Sequence, residues 1–188
     1  MYYVWNIASS YPNSCWLQYD WKRNPDSMQF SENNKLCMNS DIIFYLQKKA
    51  NRNTFLKYDY IMSDVVSLVS RKLRDVIIET AINDIQLIGV KVLQGDDFLD
   101  NYYIPIYLNV VDCIDRKKSI FDKEIEDFTK IVFKTNSLKE HIIVKAKGDE
   151  FGNPIVQYLF VDACNKNKIK GIEFYKEPYI NPLYEKPH

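Results

Sequence analysis

The sequence predicts an α+β fold, a mostly antiparallel sheet with one main helix at about Ser67–Asn83 and one or two short helices. Three observations predict it. One stretch places apolar residues at helical spacing, and several short runs rich in β-branched and aromatic residues are bounded by turn formers. The third is composition: 46% hydrophobic and 27% charged residues is ordinary for a chain that buries a core. At 188 residues the length suits one domain, 1–188, with an aromatic-rich part at 1–57 and a proline-containing tail at 176–188.

Tyr2–Ile7 reads as the first strand. The first 60 residues hold 13 of the 27 aromatic side chains, and Trp5, Trp16 and Trp21 all lie among them. Turn-forming clusters at Ser9–Asn13, Asn24–Ser27 and Ser31–Asn34 separate these aromatics, so the region reads as short strands joined by loops. Asp41–Lys49 fits a strand or a short helix capped by Ser40, and the Ile42–Tyr45 run favours the strand.

The clearest helix lies between Ser63 and Asn83. Val66, Val69, Leu73, Val76, Ile77 and Thr80 share one face, with Arg71, Lys72, Arg74, Asp75 and Glu79 largely opposite. Ser63, Ser67 and Ser70 can each cap its start; if Ser70 does, Val65–Val69 becomes an extended lead-in. Ile85–Leu93 then reads as a strand around Gly89, and Gly95-Asp96-Asp97 as a turn. Tyr102–Ile114 is the strongest strand candidate, with Val110, Val111 and Ile114 in the core. Pro105 cannot donate to a ladder, so the strand starts after it or runs along an edge there. Further strands are expected at Ile131–Lys134, Ile142–Ala146, Ile155–Phe160 and Gly171–Tyr175, and a short helix at Val161–Asn167. The tail, with Pro178, Pro182 and Pro187, is expected to fray or drape.

Charge and motif content exclude several function classes. Lysine plus arginine and aspartate plus glutamate balance at 25 each, and the basic runs at Arg116–Lys118 and Lys166–Lys170 are short, so nucleic acid is not an expected partner. No apolar run approaches a bilayer span and the N-terminus carries no basic leader, so no membrane association and a cytoplasmic location are expected. Cys15, Cys37, Cys113 and Cys164 are widely and irregularly spaced, which favours reduced thiols over a disulfide framework or a metal site. Five glycines in no phosphate-cradling arrangement argue against a dinucleotide or P-loop site, and no cofactor is expected. His141, between Lys139-Glu140 and an apolar run, reads as a surface residue where a loop enters a strand.

Asp112 and Asp115 are the strongest candidates for a catalytic or cation-binding pair. Residues three apart on a strand point to opposite faces, so the pair reads more naturally as a strand end followed by an aspartate-initiated turn. No catalytic or metal-ligating residue is therefore assigned. Charge is more informative: between Asp96 and Asp127, nine acids face four bases, a local net charge of −5. Tyr102 and Tyr103 lie inside this window, and tyrosine is an amphipathic anchor favoured at interfaces. Asp96, Asp97, Asp100, Tyr102 and Tyr103 are accordingly the candidate partner-binding residues, suited to a basic partner.

The run NVVDCIDRKKS (Asn109–Ser119) resembles a hallmark of the bacterial immunity protein family 11, keeping Asn109, Val110, Asp112, Asp115 and Ser119. LVSRKLRDVI (Leu68–Ile77) resembles the family's strand-to-helix entry and favours Ser70 as the cap. IQLIGVKV (Ile85–Val92) is similar to its next strand, and KGIEF (Lys170–Phe174) to its closing one. The resemblance covers a family-like core at 58–175, and the turn Arg116-Lys117-Lys118 is unusually basic for it. It implies an α+β protein of a polymorphic toxin system that binds and neutralises a cognate toxin stoichiometrically, and it carries no catalytic residues. The alternatives are an enzyme using Asp112 and Asp115, as a metal-assisted hydrolase or in reversing toxin damage, and a general adaptor domain.

Overall fold

The computed structural model describes residues 1–38, 40–124, 126–149 and 152–180, with the backbone alone at 127. Strand dominates these residues: 14 strands in three sheets account for 38% against 18% helix, so the fold is mostly β. This corrects the expected α+β class with one main helix in a mostly antiparallel sheet. The reason lies in strand length. Strands of two or three residues are too short to display alternation, and several fall where the sequence reads as loop.

In chain order the first half contains β1 (Tyr2–Ile7), β2 (Leu17–Tyr19), β3 (Ile43–Leu46), α1 (Arg52–Phe55), β4 (Tyr60–Ile61), β5 (Leu68–Ser70), α2 (Arg71–Ala81) and β6 (Ile85–Gln94). The second contains β7 (Asp97–Tyr107), β8 (Val110–Val111), β9 (Ile120–Asp122), β10 (Asp127–Ile131), β11 (Ile143–Ala146), β12 (Ile155–Gln157), α3 (Tyr158–Lys166), β13 (Ile172–Lys176) and β14 (Tyr179–Ile180). A six-stranded sheet runs β2-β3-β6-β7-β5-β4, a five-stranded sheet runs β13-β1-β12-β11-β8, and a small sheet runs β14-β10-β9. Most pairings are antiparallel, but β3 with β6 and β8 with β11 are parallel. The aromatic N-terminal part supplies β2 and β3 to the same sheet as the long β6–β7 hairpin.

The main helix is shorter than expected at both ends. Ser70 is its cap, the Leu73 N–H donating to Ser70 Oγ at 3.3 Å, and Leu68–Ser70 is strand. Val66 and Val69 therefore precede the helix, and its buried face is Leu73, Val76, Ile77 and Ala81. That face packs on Phe160, Val161 and Cys164 of α3 and on Trp5 and Val156 of the five-stranded sheet. Each such aliphatic side chain contributes roughly 1.5–3 kcal/mol through burial. Ser63 instead closes a turn, its Oγ accepting from the Val65 and Val66 N–H groups at 3.1 Å.

Three further boundaries move. Tyr158, Leu159 and Phe160 belong to α3, not to the preceding strand, because Phe160, Val161 and Cys164 form the inward helical face while Tyr158 and Leu159 are exposed. The strand expected at Ile131–Lys134 is β10, which ends at Ile131. Tyr102–Ile114 is not one strand: β7 ends at Tyr107, and the chain crosses from the six-stranded to the five-stranded sheet before Val110. Ile114 is buried there, whereas Val110 and Val111 are half-buried. Pro105 sits inside β7 opposite Leu87, but the β5 ladder reaches only Tyr103, so β7 is locally an edge at the proline. Tyr179 of the C-terminal segment is buried and Tyr179–Ile180 pairs with β10; Pro182 and Pro187 lie outside the described residues. All four cysteines are free, with Cys15, Cys113 and Cys164 buried and Cys37 exposed.

Candidate interaction surface

The β6–β7 hairpin turns at Gly95, which holds φ at +65°, and Gln94 pairs with Asp97 across the turn. Asp96, Asp97, Phe98 and Asp100 are exposed at its tip, Phe98 by 57%, while Leu99 points inward. Asp97 is held by Arg52 at 3.1 Å. Among the described residues no ion pair involves Asp96 or Asp100. The tip is thus an aromatic ring among carboxylates, two of them uncompensated.

A bulge sets which residues face out. Val90 pairs with Tyr102 and Val92 with Leu99, so Asp100 and Asn101 together oppose Lys91. Asn101 takes φ of 71° there, a left-handed conformation that asparagine tolerates. The extra residue resets the alternation, and Leu99 and Tyr102 both point inward although three apart. Tyr102 is 5% exposed with its ring 5.4 Å from Phe55, and burial pushes its hydroxyl up to about 12. It is a core residue beneath the tip and offers no exposed anchor. Tyr103 is half-buried, its hydroxyl accepting from Arg74 Nη1 at 3.1 Å and its ring lying 5.1 Å from that guanidinium. Sequence reasoning missed Phe98 because it sought tyrosine; the signal was an aromatic residue directly after the Gly-Asp-Asp turn.

Asp112 and Asp115 are engaged separately. Asp112 lies 2.6 Å from Lys134 Nζ, and that ammonium holds its carboxyl below the usual range. Asp115 initiates the turn: its Oδ1 accepts from the Lys117 N–H at 3.1 Å, and its backbone carbonyl accepts from Ser119 N–H at 2.9 Å. Desolvation pushes the Asp115 carboxyl up, but the Lys117 N–H bond to Oδ1 and Lys118 at 3.4 Å outweigh it and leave it lowered. Lys134 and Lys147 lie outside the acidic window, yet both lower Asp112, so this end of the window is charge-compensated. Among the described residues no three His, Cys, Asp or Glu side chains gather as a metal-ligand set.

The motif residues are structural pins. Asp84, 4% exposed, accepts from Asn109 Nδ2 at 2.8 Å and contacts His141 Nδ1 at 2.9 Å through Oδ1. Its Oδ2 accepts from the N–H groups of Ile142 at 2.7 Å and Ile143 at 3.1 Å. Asn109 therefore fixes the crossover between sheets, and His141 is a half-buried partner of Asp84, not a free surface residue. Asp59 is a second hub, accepting from Ser70 Oγ at 2.7 Å and from the Lys170 N–H at 2.9 Å. Ser119 Oγ accepts from the Val132 N–H at 2.9 Å, tying the end of the basic turn to the residue just after β10. Sequence reading had no reason to single out Asp59 or Asp84, whose partners are distant in the chain.

A fold with no helix long and apolar enough to cross a membrane among its described residues, and with an acidic exposed hairpin tip, meets the family comparison here. The matching family model is that of an immunity protein family, a class generally without enzymatic activity. The chain belongs to that family, Imm11, which matches residues 17–177 and so includes most of the aromatic N-terminal part. No curated protein matches the chain.

Proposed function

We propose that this chain protects a bacterial cell by binding a cognate toxin of a polymorphic toxin system stoichiometrically in the cytoplasm. Membership of the immunity protein family is the observation that carries this reading, since such proteins have toxin partners. The contact surface is the β6–β7 tip: Asp96 and Asp100 attract a basic face of the toxin, Asp97 contributes through its Arg52 pair, and Phe98 supplies the apolar contact. Tyr103 borders the surface through Arg74, and Tyr102 supports it from beneath. An interface of about 1,600 Å² with nanomolar affinity, roughly −12 kcal/mol, is the scale required.

The test is co-expression with the product of the neighbouring gene, followed by binding kinetics on the purified pair. The wild-type chain restores growth and forms an equimolar complex. Asp96→Lys combined with Asp100→Lys lowers the association rate about 10-fold or more and removes most of its salt dependence. Phe98→Ala acts mainly on dissociation. Absence of both protection and complex overturns the immunity reading. A tight complex whose kinetics ignore all three substitutions overturns only the choice of surface.

A further inference from the structure

A cavity of about 230 Å³ lies where the six-stranded and five-stranded sheets meet. Tyr60 of β4, Tyr107 of β7 and Lys145 of β11 line it, and Ser67 and Asn153 add polar groups. Phe30, Val65, Val66, Pro105 and Pro154 add apolar contacts, and Ser31 and Asn33 further polar ones. Lys145 is the only charged side chain in this wall among the described residues. Its ammonium donates to the Gly152 carbonyl and stands 5.0 Å from the centre of the Tyr107 ring. The family's motif residues leave this group unused.

We propose that this cavity is a binding site for a small organic carboxylate, held by the Lys145 ammonium and the hydroxyls of its wall. The geometry argues for one negative charge. A single cation with neutral donors around it matches a carboxylate, whereas a phosphate dianion calls for a second cation or a helix N-terminus. Tyr60, Tyr107 and Ser67 line the cavity together, so three hydroxyl groups are gathered around it. One ring further in, the indole N–H of Trp5 is buried without an acceptor among the described residues, 4.9 Å from Tyr60 between ring centres. Val65, Val66, Pro105 and Pro154 give a short carbon skeleton its apolar contacts, within the size the volume admits. Burial pulls the Lys145 ammonium down to about 8, against an attraction from Asp149, so an arriving anion favours the charged form that burial penalises.

The experiment uses the purified chain without toxin, and so stands apart from the immunity reading. Thermal unfolding is followed while acetate, pyruvate and benzoate are titrated against chloride at matched ionic strength. Parallel spectra follow the methylene resonance next to the Lys145 amine. The expected result is a saturable shift of that resonance with at least one carboxylate and a rise in Tm of about 2–4 °C at saturation. Tyr107→Phe weakens that binding several-fold. Lys145→Met abolishes it while leaving the ligand-free protein about as stable as wild type, since the ammonium's desolvation cost is lost together with its carbonyl and ring contacts. No saturable shift with any of the three, or a ligand effect that survives Lys145→Met, overturns the proposal. A Lys145→Met protein less stable than wild type, with no carboxylate effect in either, assigns the lysine a structural role instead.

Discussion

At the scale of single residues, Asp84 is the most consequential side chain in the molecule. It is buried, and it accepts hydrogen bonds from one side chain and two backbone N–H groups besides contacting His141. Breaking a buried, fully satisfied carboxylate strands its donors, which costs far more than the net value of any one bond. Asp84→Ala is expected to destabilise by about 3–5 kcal/mol in chemical denaturation. Asn109→Ala, which removes one donor and leaves the carboxylate otherwise held, costs about 1–2 kcal/mol. Equal effects from the two substitutions would show that Asp84 is not the hub the distances describe. The double variant should also fall short of the sum, since the residues share one network.

At the scale of elements, Gly171 controls how β13 leaves the turn beside β4. Its φ is +91°, and a β-carbon there would lie 2.6 Å from the Tyr60 carbonyl oxygen. Backbone conformation and contact both oppose a side chain, so Gly171→Ala is expected to cost about 3 kcal/mol or more. Gly95→Ala meets no neighbouring atom at its tip position and carries only the conformational part, about 1–2 kcal/mol. Denaturant midpoints measure the contrast, and equal costs would refute the close approach. This also marks what was readable from the chain. β1 and the inward Leu73, Val76 and Ile77 of α2 follow from local chemistry, which is visible in a sequence, whereas local chemistry alone leaves Ser63, Ser67 and Ser70 open as the cap. The bulge at Asp100–Asn101, the crossover at Asn109 and the parallel pairing of β3 with β6 depend on strands far apart in the chain. For the same reason the acidic window read as one patch. Its hairpin tip is exposed in one sheet, while Asp112 meets Lys134 beside another.

At the scale of the whole molecule, burial of weak acids sets an alkaline limit. Desolvation pushes Tyr19 and Tyr102 up to about 12 and also raises Tyr11, Tyr60 and Tyr107. It raises Cys15 too, and lifts Cys113 to about 11 and Cys164 to about 12. Unfolding returns the thiols to their ordinary 9.0 and the phenols to 10.0. Above about pH 9 the unfolded chain has therefore released protons that the folded chain still holds. A group raised by folding contributes stability fully below its unfolded value and loses it as pH climbs through its folded value, so these eight groups all destabilise the fold in alkali. Lys145 runs the other way. Its folded value of about 8 lies below its ordinary 10.5, and it adds stability as pH rises between them. One lysine does not offset eight acids. Tm is expected to hold to about pH 8.5 and then fall steeply, with phenolate absorbance appearing in the same cooperative step as loss of the β-sheet circular dichroism signal. In Lys145→Met the fall begins at lower pH relative to that variant's own neutral value, because the compensating lysine is gone. Phenols that titrate gradually near their ordinary value while the sheets stay folded would contradict the burial of these tyrosines.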